Sequence, residues 1–155
     1  MEVLFEKLIE LFLTCNGKVF AAPQYAIDWD ADTKTGGTCP DLVLIDESNA
    51  DREVVVVEVT TAASLNNFHH KILERKKNWF DPLKAKLNLK SDVRAIVFIR
   101  LDLVSKAEEW ANEQCISTDE VCFYPIEKAV FWWHYRDGKP WPGLPRGKYV
   151  HTASS

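Results

Sequence analysis

The stretch "CPDLVLIDESNADREVVVVEVTTA", Cys39 to Ala62, decides how the chain is read. It contains two apolar strands, at about 41–46 and 53–60, joined by the polar turn "ESNAD". Asp41 heads the first strand and Glu58 stands near the end of the second. A carboxylate inside a valine run is expensive to bury and calls for a partner, a cation being one of the commonest. Side chains alternate along a strand, so Val54, Val56, Glu58 and Thr60 share one face, and Val55, Val57 and Val59 the other. A hairpin brings Asp41 beside Glu58. Two carboxylates that close repel unless they share a proton or a divalent cation. All-oxygen donors favour a hard ion, Mg²⁺ or Mn²⁺, over zinc.

Upstream, residues 2–15 are expected to form a helix with Leu4, Phe5, Leu8, Leu11 and Phe12 on one stripe and Glu6 and Glu10 opposite. Asn16-Gly17 stops it. "KVFAAPQYAID" (18–28) follows as a strand with an edge-type proline, and "WDADTKTGGT" as a polar loop. Downstream the period turns helical from Ser64 to Leu87, where Leu65, Phe68, Ile72, Trp79, Leu83 and Leu87 share a face. Pro82 kinks or restarts that helix. "VRAIVFIR" (93–100) is a buried strand, and Ser105 with Glu108 forms a capping box for a short helix to about Gln114. "VCFYPIEKAVFWWHY" supplies one or two closing strands. The expected order is α-β-β-β-α-β, then α-β: an α/β domain with a mixed sheet flanked by helices. One domain spans 1–150, with the chain loosening after Pro140 and 151–155 a flexible tail.

At 155 residues the chain can bury a sizeable core. Its apolar runs fall well short of the ~18 residues of a membrane span. The N-terminal helix carries glutamates and no basic leader, which points to an intracellular protein and away from a signal peptide. Cys15, Cys39, Cys115 and Cys122 lack metal-ligand spacing and are expected as free thiols. A net charge of −4 excludes a polycation that coats nucleic acid, so any such contact needs a local basic surface or a bound metal.

Pro40-Asp41, a spacer, and then Glu58-Val59-Thr60 at a strand end resemble the PD-(D/E)xK nuclease superfamily. The match runs from about residue 2 to 100. Nearest in flavour are endonuclease domains of non-LTR retrotransposons and the cap-snatching endonucleases of segmented negative-strand RNA viruses. The resemblance implies a restriction-endonuclease-like core and Mg²⁺- or Mn²⁺-dependent cleavage of phosphodiester bonds in DNA or RNA. Asp41 and Glu58 would hold the metal, with the Val59 carbonyl as a further ligand, and Thr60 would support them. The superfamily often draws a third acid from its first helix. Glu10 is preferred over Glu6 because it lies nearer the helix end that leads into the sheet. A solvated face explains both equally well, and Asp28, Asp30 and Asp32 of the loop are alternatives.

The usual lysine is missing: its place is taken by Thr60, whose hydroxyl carries no charge. On the following helix, Lys76 falls within the apolar stripe centred on Ile72. A lysine on a buried face needs a partner, unless its stem merely snorkels along apolar surface. Lys76 with Phe80 also looks like the family's helix motif, a polar residue four before an aromatic. Lys71, on the flank of the stripe, is the rival, and Lys77 points away.

His69 falls close to the apolar face as a core histidine. Trp132, Trp133, His134, Tyr135 and Trp141, with Arg136 and Lys139, mix ring surfaces with cations as single-strand binders do, although alternating aromatics in a closing strand also fill cores. Two readings follow: a metal-dependent nuclease, or a catalytically inactive module that keeps the fold for binding nucleic acid or protein. The partner is nucleic acid, no membrane is involved, and the oligomeric state is open, a homodimer being one option.

Overall fold

The computed structural model describes residues 2–151 apart from 29, 31, 35, 136, 137 and 139; for residue 2 and residues 133–135 it describes the backbone alone. Helix α1 (Glu2–Thr14) precedes strands β1 (Val19–Pro23), β2 (Leu42–Asp46) and β3 (Glu53–Val59). Helix α2 (Asn66–Leu73), a π-helical turn (Lys76–Phe80) and α3 (Asp81–Lys86) then lead to β4 (Arg94–Ile99). A 3₁₀ turn (Leu101–Leu103), α4 (Val104–Glu113), β5 (Val121–Pro125) and α5 (Ile126–Tyr135) complete the order. The strands form one mixed sheet, β1-β2-β3-β4-β5. The β1–β2 and β2–β3 pairs are antiparallel, and β3–β4 and β4–β5 parallel.

β3 is the central strand and is buried on both faces, as a valine run with a helical layer on either side requires. Val54 and Val56 pack with Phe68, Ile72, Leu83 and Ala107 under α2–α4. Val55, Val57 and Val59 pack with Ile9, Phe12, Leu13 and Ala129 under α1 and α5. The return from β3 to the parallel β4 obliges the α2–α3 segment to run back along the sheet, from the C-terminal end of β3 towards its start.

Three expectations are corrected. The buried face of α1 is Ile9, Phe12 and Leu13, while Leu4 and Leu11 face outward. Apolar residues ring most of this helix, so the stripe had more than one solution. The restart expected at Pro82 is present: the 64–87 helix passes through the π-helical turn and α3 begins at Asp81, with Pro82 in its first turn. The capping box at Ser105 does not form; α4 begins at Val104 without a side-chain cap, and Ser105 Oγ instead meets His151 Nε2 at 3.2 Å. The run 126–135 is a helix and not a closing strand, with Trp132 and Trp141 packed edge-on around Phe12.

The chain beyond Pro140 is also tied down. The Pro145 carbonyl accepts from Arg94 Nη1 at 2.7 Å, and the Tyr149 N–H donates to Glu108 at 2.8 Å. The expected tail, 151–155, lies outside the described residues except for His151. All four cysteines are free thiols. Among the described residues no helix is long and apolar enough to cross a membrane.

Candidate functional site

In the β2–β3 ladder Leu42 pairs with Val57, so the next rung sets Asp41 against Glu58. Strand alternation places both on the α2 face, alongside Val43, Val54 and Val56. Asp41 Oδ2 accepts the backbone N–H of Val59 at 2.7 Å, which orients the carboxylate at the mouth of the hairpin. Glu58 is only 4% exposed. Burial in this valine-walled position, then the neighbouring Asp41 carboxyl, pushes its pKa up to about 8, against a smaller opposing pull from Lys71. Near neutrality Glu58 is thus set to hold a proton beside the Asp41 carboxyl.

The cation that reaches them is Lys71. Its Nζ lies 3.5 Å from Glu58 Oε2 and 5.2 Å from the centre of the Phe68 ring. Thr60 is buried on the same face; its N–H donates to the Phe98 carbonyl at 2.9 Å and its Oγ1 accepts from Ala62 N–H at 3.2 Å, which ends the strand in a fixed turn.

Lys76, expected at this site, is elsewhere. Its side chain is 67% exposed and its Nζ lies 3.9 Å from Glu120, beside the start of β4. The reason is height along the helix. At about 1.5 Å per residue, Lys76 stands a turn or more beyond Lys71, on a segment travelling away from Glu58. The buried cation on that stretch is Arg75, a residue not anticipated from sequence, which contacts Glu120 at 2.8 Å and donates to the Ile72 carbonyl at 2.9 Å. Only an acid far along the chain accounts for its burial.

Of the other sequence candidates, Val59 touches the pair, through its backbone N–H. Glu10 sits on α1, which covers the opposite face of the sheet, and pairs with Lys7 at 3.1 Å; Glu6 rides the same helix. Asp30 accepts the N–H groups of Asp32 and Thr33, closing its own turn, and these bonds hold its pKa down. Val59 contributes its backbone N–H to Asp41 while its side chain joins the core under α1. His69 stacks on Trp110, ring centres 4.0 Å apart. Of the aromatic cluster, Trp132 and Trp141 are core residues; the side chains of 133–136 and 139 lie outside the described residues. Among the described residues no group of three or more His, Cys, Asp or Glu gathers in one place.

A concavity of about 750 Å³ opens at the other end of β3 and β4. Its cations are matched: Arg146 and Arg94 on Glu53, Lys84 on Asp92, Lys76 on Glu120. It holds no carboxyl as strained as Glu58.

No protein-family model matches the chain, and no curated protein matches it. Two solved structures are similar in fold, each at 13% identity with a TM-score of 0.49. One is an XisH family protein from Nostoc punctiforme PCC 73102, covering 82% of this chain and 94% of that one. The other is a FdxN element excision controlling factor protein from Anabaena variabilis, covering 83% and 95%.

Proposed function

We propose that the chain is a divalent-metal-dependent nuclease that hydrolyses phosphodiester bonds of DNA or RNA. The observation that carries this reading is the buried Asp41–Glu58 rung with one helix lysine reaching it. The donor set fits Mg²⁺ or Mn²⁺. Glu58, buried beside a second carboxyl, is under-compensated, and Mg²⁺ is commonly held by one or two carboxylates while keeping several waters. Bound there, the ion would lower the pKa of a water and offset charge on the scissile phosphate.

The protein's own groups have separate tasks. Asp41 is held in place by the Val59 N–H, and Glu58 must release its proton to become a ligand. Lys71 is half exposed, so it is free to swing from Glu58 to a phosphate oxygen, where its charge opposes what builds up in the transition state. Thr60 keeps the strand end rigid through its turn to Ala62. Lys71 thus takes the role that the missing strand lysine leaves open.

The test is a cleavage assay on labelled single- and double-stranded DNA and RNA with each metal, run beside thermal melting. Mn²⁺ should raise the melting point of the wild type and not of Asp41→Ala, because a ligand of the folded state stabilises it. Intact substrates together with equal melting shifts in both proteins would overturn the reading. A second reading, an inactive binding module, draws support from Thr60 at the lysine position and from the bond that already engages Asp41. It predicts binding without cleavage and no metal shift.

A further inference from the structure

Downstream of Glu58 in the chain, the loop that leaves Thr60 forms one wall of a second concavity of about 300 Å³, between the start of α2 and α4. Ser64, Asn66, His69, Leu103, Lys106 and Trp110 line it. The His69 ring lies face to face on Trp110, 6° from parallel, so the two cover each other's inner faces and the outer face of the stack is the aromatic wall a further ring can meet. Burial holds the His69 pKa below its ordinary value, so near neutrality this wall is uncharged. Lys106, exposed on α4, makes no ion pair among the described residues, in contrast to the matched lysines at the other end of the sheet. A flat apolar wall, short polar groups and one open cation in a small hollow suit a single nucleotide: a ring face, base edges and a phosphate.

We infer that this groove takes one unpaired nucleotide of the strand to be cut, and that the substrate is therefore single-stranded nucleic acid. The inference rests on the nuclease reading for the fate of that strand. A duplex keeps its bases stacked and offers only their edges in its grooves, so it has no ring face to place against His69 and Trp110. The overall charge of −4 makes a general attraction to phosphate weak. Recognition then depends on local contacts of this kind.

The experiment is fluorescence anisotropy of a labelled oligonucleotide, single-stranded or annealed to its complement, in EDTA so that no cleavage intervenes. The single strand should bind about tenfold or more tighter than the duplex. His69→Ala and Lys106→Ala should each weaken single-strand binding about fivefold or more, in proteins with unchanged circular dichroism. Should His69→Ala fail to fold, the exposed Lys106→Ala decides. Equal or tighter duplex binding, or single-strand binding unmoved by Lys106→Ala, overturns the groove. Binding that behaves as expected while no substrate is cut with metal keeps the groove and overturns the nuclease. Equal cleavage of duplex and single strand, indifferent to Lys106→Ala, keeps the nuclease and overturns the groove.

Discussion

The β2–β3 hairpin carries an acid pair at each end, and the two ends have been treated in opposite ways. At the turn, Asp46 faces Glu53; at the mouth, the next rung beyond Leu42–Val57 sets Asp41 against Glu58. Glu53 is gripped by Arg94 and by Arg146, the latter at 2.7 Å, while Asp46 accepts the Ser48 N–H at 2.8 Å. Glu58 has a carboxylate neighbour and one lysine at the limit of hydrogen-bond distance, and its pKa sits near 8. Facing carboxylates on a rung are therefore not themselves a site. What separates the two ends is compensation: guanidiniums grip Glu53 into a structural joint, while Glu58 has one lysine, and on that shortage the proposed metal site rests.

The strongest way to break this contrast is to remove one charged group at each end. Glu58→Gln should abolish cleavage, because an amide is a poor ligand for a hard cation, yet leave the metal-free protein as stable as before or more so. A Glu58→Gln protein that melts well below the wild type would place Glu58 among structural acids. Arg94→Ala at the other end should cost about 3 kcal/mol in urea unfolding, since it leaves the part-buried Glu53 with a weaker partner and frees the Pro145 carbonyl. Arg94 is 5% exposed, so water cannot readily take its place.

Next comes the lysine. Lys71→Ala should lower turnover by roughly two orders of magnitude at saturating Mn²⁺, about 3 kcal/mol of transition-state stabilisation. Lys76→Ala should turn over like the wild type. The reverse result would return the role to Lys76 and would require the helix to shift along the sheet during catalysis.

A gentler probe is pH. The folded-state pKa of Glu58, about 8, is raised above its ordinary 4.5, so folding favours the protonated acid. That contribution is complete below about pH 4.5 and is lost as the pH rises through 8. Within this window, without metal, the wild type should lose up to about 1.4 kcal/mol of stability per pH unit relative to Glu58→Gln. Parallel stability curves for the two proteins would show that Glu58 titrates normally. The smallest effect should come from Arg146→Ala. Its side chain is 55% exposed, so the pair with Glu53 is screened and should contribute under about 1 kcal/mol to urea unfolding.

The sequence by itself determined the directions in which the main side chains point. Strand alternation put Glu58 and Thr60 on one face of a valine strand, and the hairpin brought Asp41 across to Glu58. The change to a helical period after Ser64 announced the crossover that covers that face. These are local periodicities, set by backbone geometry within a few residues. The tertiary structure alone decided heights and distant partners. A helical wheel reports angle and is blind to level, so it chose Lys76 where the crossover, running back along the sheet, delivers Lys71. Arg75 could not be told from a solvated arginine until Glu120 came beside it, nor Arg94 from its neighbours until Glu53 and Pro145 did. The aromatic run at 131–135 alternates too little to separate strand from helix, and only packing of Trp132 against Phe12 settles where its described rings lie. Distances between residues far apart in the chain depend on how whole elements dock, and no periodicity within one element encodes them.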